Sequence, residues 1–228
     1  ESLFGVHANV VKNGKFSFSG IEAVYLGEGK ATFVKVPGFY MEKSATGEER
    51  LHGHRLSIHD LARSIPQEIR GKKYDTYFRD RIHMKDSHSG SDLYRTTYVL
   101  DEFSAYVRDA KCSLEHYDWY VKTKSGVVAE FHGAGEFVGY GMSLVKLIHD
   151  NPDQYKTDQD RDHAYKVIGY LMQEGAALYK EGLNEKKYPR LQSAHADFLV
   201  KLQKQKSLVD VAKKVYGEAW VESLFSRE

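Results

Sequence analysis

The chain is poor in the elements that most simply betray a class. It has one cysteine, Cys112, among 228 residues, which excludes an internal disulfide framework and a thiolate-rich zinc knuckle. It has only 4 prolines and no Pro/Ser/Gly-rich linker, so nothing in the composition divides it, and a single domain over residues 1–228 is the expectation. No run approaches the roughly 18 apolar residues that a membrane helix needs, so no membrane span is expected. Neither sign of charge is in excess: 33 Lys+Arg oppose 32 Asp+Glu, which argues against a polybasic nucleic-acid or anionic-membrane binder. What remains is 41% hydrophobic with 16 Tyr and 11 Phe, too apolar and aromatic for a disordered chain. The first residue is Glu1 rather than Met. The expectation is a start cut either by cloning or by removal of an export signal, the second of which would make the protein periplasmic or secreted.

The residues predict an α+β, mainly α-helical fold with a small N-terminal antiparallel β-sheet. Lys15-Phe16-Ser17-Phe18-Ser19 alternates strictly, Ile21 to Leu26 is β-branched and aromatic, and Ala31 to Val36 alternates again. Gly20 and Gly27-Glu28-Gly29 separate these runs as turns, so residues 1–40 form the β-rich part. Residues 50–228 form the helical part. Leu51, Leu56, Ile58, Leu61, Ala62 and Ile65 fit a short helix stopped at Pro66, and Asp80 to Asp92 reads as a long loop. Helices are then expected from Tyr94 to about Leu114, Val127 to Ile148, His163 to Lys180, Leu191 to Leu202 and Leu208 to Phe225. The third of these six carries Gly133, Gly135, Gly139 and Gly141, each costing about 1 kcal/mol of helix propensity relative to Ala. Such density predicts another backbone packed very close.

Eleven histidines put metal binding first among the chemistries to weigh. On an ideal helix His52, Leu56, His59 and Arg63 share one face, with His54 nearby. Further along, Asp101-Glu102-Phe103-Ser104-Ala105-Tyr106 sets two carboxylates one turn ahead of an aromatic. Asp-Glu-x-x-Ala-Tyr following a His-bearing helix resembles the third-ligand helix of zinc metallopeptidases of the gluzincin type, over roughly Leu51 to Leu114. In that family a His-Glu-x-x-His helix gives two imidazoles and the base that deprotonates a metal-bound water. Here His59-Asp60-Leu61-Ala62-Arg63 stands in its place, with Asp for Glu and a guanidinium, which cannot bind zinc, for the second imidazole.

The resemblance implies a metallopeptidase-like hydrolase scaffold, active on or inactive and binding a peptide or cell-wall fragment. It implies one of two sites: zinc held by His59 and Glu102 with Asp60 as the nearest base and Arg63 neutralising an oxyanion, or a metal-free site without cofactor in which Arg63 supplies the lost positive charge and pairs with Glu102 or Asp101. Two other classes are carried beside it. A lysozyme-type glycosidase needs a Glu in an apolar cleft, for which Glu102, Glu130 and Glu136 qualify, with Phe131, Phe137 and Tyr140 to floor a sugar groove. A non-enzymatic exported binding protein would use the aromatic and charged cluster of Tyr74, Tyr77 and Phe78 with Asp75, Arg79, Asp80 and Arg81. Across these readings the substrate-contacting candidates are Tyr77, Tyr106, Glu136 and Tyr140. No motif frames Cys112 as a nucleophile, and Gly133-Ala134-Gly135 runs into Glu136, which would repel a phosphate.

Overall fold

The computed structural model describes residues 15–18, 21–25, 31–35, 42–43, 49–50, 56–79, 96–123, 131–154, 158–184, 187–188 and 197–226. The described chain is mainly helical. Ahead of the helices only short extended segments are described, among them Lys15–Phe18, Ile21–Tyr25 and Ala31–Lys35. His52, His54, His83, His88, Glu130, the expected loop 80–92 and the side chain of Asp101 lie outside the described residues.

Helix α1 (Ile58–Ser64) begins because Ser57 and Asp60 cap it reciprocally, and ends where Pro66 pushes Ile65 into extended backbone. Its apolar side buries Ile58, Leu61 and Ala62. Since it starts at Ile58, only His59 and Arg63 of the four-residue face lie on the helix. After a 3-10 turn at Gln67–Ile69, the single turn α2 (Lys72–Tyr74) runs on as a π-helical turn over Asp75–Arg79. Helices α3 (Thr96–Glu115) and α4 (Tyr117–Thr123) follow; α4 was not read from the sequence.

The middle of the body is α5 (Phe131–Asp150), of which fifteen residues are buried, and α6 (Asp158–Gly182), α3, α8 and α1 all pack on it. At 1.5 Å per residue α5 is about 30 Å long, the full width of a small domain. Polar residues are excluded from most of its circumference, as expected of a helix covered on nearly every side.

The glycines of α5 do serve close approach, but what approaches is mostly ring and side chain rather than backbone. A Cβ on Gly133 would sit 2.3 Å from the Tyr106 ring, and one on Gly135 would sit 2.3 Å from the Tyr179 ring. On Gly141 it would meet Met172 at 2.9 Å, and on Gly139 Ile69 and Phe198 at 3.1 Å. The Tyr106 and Tyr179 rings thus lie so close to the α5 backbone that an alanine at Gly133 or Gly135 would collide with them.

The carboxyl-terminal part is three short helices, α7 (Phe198–Gln203), α8 (Lys206–Tyr216) and α9 (Glu218–Phe225). The single helix expected over 208–225 is broken at Gly217, whose φ of 91° lies in the region that favours glycine. Tyr216 stacks on Trp220 across the break at 4.2 Å and donates from its hydroxyl to the Tyr165 carbonyl of α6 at 2.6 Å. Lys180 of α6 donates to the Ser223 carbonyl in the last turn of α9 and to the Ser226 carbonyl just beyond it, each at 3.0 Å, a favourable place for a cation. No helix among the described residues is long and apolar enough to cross a membrane.

Candidate functional site

Four of the residues singled out in the sequence meet on one side of α5. Glu136 and Tyr140 are one turn apart on α5, so their side chains stack, and the Tyr140 hydroxyl donates to Glu136 Oε2 at 3.0 Å. The same oxygen accepts the backbone N–H of Lys73 at 2.9 Å. That N–H belongs to the first turn of α2, where amides have no intrahelical acceptor, so the carboxylate acts as a cap supplied from 63 residues away. Gly71, immediately before α2, is what lets it in: a Cβ there would lie 2.3 Å from the carboxylate. Glu136 is only 3% exposed.

Phe137, the neighbour of Glu136, anchors the second half of the cluster. Its ring lies 5.0 Å from Tyr106, 5.6 Å from Tyr77, 5.7 Å from Phe103 and 5.2 Å from Tyr140. The hydroxyls of Tyr77 and Tyr106 are 3.1 Å apart, and the Glu102 charge acts on the Tyr77 hydroxyl. The Lys73 ammonium sits 4.3 Å above the centre of the Tyr106 ring, a cation–π arrangement. Lys73 therefore joins the two networks, by its amide to Glu136 and by its side chain to Tyr106. Lys73, Tyr77, Glu102 and Tyr106 are all half-buried, so one edge of this cluster faces outward while Glu136, Phe137 and Tyr140 lie beneath it.

Burial, then hydrogen bonding to Tyr106 and the Glu102 charge, raises the pKa of Tyr77. Burial and the Glu136 charge do the same to Tyr140, and burial to Tyr216. Folded values above the unfolded one give stability that is complete below about pH 10 and is lost as pH rises toward the folded values. In an alkaline spectrophotometric titration these phenols are expected to stay neutral past the ordinary tyrosine range and to ionise only as the chain unfolds. Phenolate absorbance complete before any loss of helical dichroism would contradict this.

The residues of the metallopeptidase-like pattern are distributed differently. His59 is buried at 7% exposure, whereas Arg63, one turn on, is exposed. Asp60 is occupied: Oδ2 accepts from the Ser57 hydroxyl at 2.7 Å and from the Ser57 amide at 3.2 Å, while its own amide donates to Ser57 Oγ at 3.2 Å. Replacing Asp60 with Ala is expected to cost about 1 kcal/mol through loss of this cap, seen as a lower urea midpoint. An unchanged midpoint would show that the carboxylate is available for other work. Among the described residues no group of three or more His, Cys, Asp or Glu side chains comes together to hold a metal ion. The donor set of a zinc site is therefore not assembled by the described residues.

Lys73 was the residue missed in the sequence. Its only sequence signal is the tyrosine-rich run that it begins, and its partners lie on α3 and α5. No protein-family model matches this chain, and no curated protein or solved structure is similar enough to match it.

Proposed function

We propose that this chain binds a short peptide without cleaving it, on the half-buried face made by Lys73, Tyr77, Glu102 and Tyr106. The observation that carries this reading is the Lys73 ammonium held 4.3 Å over Tyr106, with the Tyr106 hydroxyl 3.1 Å from that of Tyr77. The Lys73 ammonium and the Glu102 carboxylate complement the two charged ends of a peptide, and the phenols of the same face offer both apolar surface and hydroxyls. Free peptides and the peptide part of a cell-wall fragment share this chemistry. Hydrolysis by a metal-bound water would call on Asp60 as base, and that reading is disfavoured because Ser57 engages the Asp60 carboxylate. Glycoside cleavage by Glu136 is disfavoured by its burial beneath the face.

The same proposal gives the chain a small antiparallel sheet ahead of the helices. Alternation in Lys15–Phe18 and Ala31–Lys35 supports it, as do glycine turns between runs and a register that sets Lys15 opposite Val24 and Tyr25 opposite Ala31.

Calorimetric titration with tri-alanine, bearing both free termini, tests the binding reading. Binding is expected, with a loss of about tenfold or more in Glu102→Gln and in Tyr106→Ala, since a charge-assisted hydrogen bond contributes about 1.5–3 kcal/mol. Terminally blocked tri-alanine should bind more weakly than the free peptide. Equal affinity of both variants and the parent would refute the assignment, as would zinc-dependent cleavage of the peptide that His59→Ala abolishes.

A further inference from the structure

A second concavity lies toward the other end of α3, about 8–14 Å along the helix from Tyr106 at 1.5 Å per residue. It is an open cleft of about 560 Å³, within the range of small-molecule sites, floored by Leu114 and Leu178 and walled by Tyr117 and Tyr188. The two tyrosines meet edge to face at 5.1 Å. The cleft lies where α3 and α6 both end, and the carboxyl-terminal end of a helix carries partial negative charge. Glu115, Asp118 and Glu181 add three carboxylates against the ammonium groups of Lys111 and Lys187.

One of those ammonium groups already shows how a cation is received. Lys187 Nζ donates to Glu181 Oε1 and lies 5.2 Å from the centre of the Tyr188 ring, while the Tyr188 hydroxyl donates to the same Glu181 oxygen at 3.1 Å. The Asn184 side chain and carbonyl fix this turn by accepting from the amides of Lys187 at 3.2 Å and Tyr188 at 2.8 Å. The Lys187 side chain is nonetheless 59% exposed, so it occupies the edge of the cleft without closing it. The bond to Glu181 raises the Lys187 pKa to about 12 and lowers that of Glu181, so both are charged at neutral pH.

We infer that this cleft is a site for an aliphatic ammonium ligand, a small diamine, whose charged end takes the place of Lys187 between Glu181 and the Tyr188 ring. The alkyl chain then lies on Leu114 and Leu178, and the distal ammonium reaches the Asp118 carboxylate, since Glu115 already pairs with Lys111 at 4.0 Å. Lys187 acts as a resident competitor that a ligand must displace. This inference is independent of the peptide face, since it uses none of its residues.

Pentane-1,5-diamine is the probe, followed by proton NMR of the tyrosine rings and by calorimetry on the full chain, with 1-pentanol and pentanoate as controls. The diamine is expected to shift the Tyr117 and Tyr188 signals saturably, and neither control to do so. Lys187→Ala should tighten binding several-fold, and Glu181→Gln should weaken it about tenfold through loss of a charge-assisted contact. Both positions are exposed, and an unchanged melting temperature will show that the variants fold. Absence of any diamine-induced shift in the parent and in Lys187→Ala would overturn the inference. So would equal binding of 1-pentanol, which would leave only an apolar cleft, or a Lys187→Ala affinity no tighter than the parent's.

Discussion

Replacing Glu136 by Ala is expected to lower the free energy of unfolding by about 3–5 kcal/mol. The change removes the acceptor of two donors at once, the Lys73 amide and the Tyr140 hydroxyl. Each buried donor left without a partner costs about 1–3 kcal/mol, and the vacated side-chain volume adds a cavity term. Glu136→Gln keeps the shape and a carbonyl oxygen, so about 1–2 kcal/mol is expected, the difference between a charge-assisted and a neutral hydrogen bond. Urea unfolding of the two variants checks the order. If both lose less than about 0.5 kcal/mol, the value usual for a surface substitution, the carboxylate is not the buried strut described above.

The second large effect concerns Phe137. Its side chain is fully buried, and its ring contacts join the π-helical turn at Tyr77, α3 and α5 in one aromatic cluster. Phe137→Ala is expected to cost about 3–5 kcal/mol, the usual penalty for truncating a core phenylalanine. Phe137→Leu retains most of the apolar area and loses the ring-to-ring geometry, which contributes about 0.5–1.5 kcal/mol per aromatic pair. Its expected cost is therefore about 1–2 kcal/mol, with the peptide face loosened because Tyr77 and Tyr106 both rest on this ring. Thermal melts followed by near-ultraviolet dichroism of the tyrosines test both statements. A Leu variant as unstable as the Ala variant would mean that burial plays no part; one identical to the parent would mean that the ring contacts contribute nothing.

Much of the helical body was legible because its signals are local. Pro66, Asn151-Pro152 and the 3.6-residue recurrence of Val167, Leu171 and Leu178 mark ends and faces that depend on neighbours a turn away. Glu136 and Tyr140 were readable as one feature for the same reason, being four apart on a helix. Gly217 went unread as a break because the apolar spacing continues across it, from Val215 to Trp220 and Leu224, and the tertiary contact of Tyr216 with Tyr165 favours the bend.

What the sequence did not disclose is long-range. The bond between the Lys73 amide and Glu136 joins positions 63 apart, and nothing in either segment specifies the other. The acidic residue beside His59 resembles a displaced catalytic base, yet Asp60 also stands three residues after Ser57, the spacing of a capping box, and one position satisfies both patterns. His59 and Arg63 share a helical stripe by spacing, but the packing of α1 on α5 buries the imidazole and leaves the guanidinium outside. Spacing names a face; only the neighbouring element decides how far along it burial reaches.

Hydrogen exchange at the Lys73 amide tests most directly whether Glu136 organises the face above it. Amides in the first turn of a helix ordinarily exchange fast, because they lack an intrahelical acceptor. If the buried carboxylate holds this one, Lys73 should exchange far more slowly than the adjacent Lys72 amide. Equal, rapid exchange at Lys72 and Lys73 would contradict the bond and remove the support on which the Lys73–Tyr106 arrangement stands.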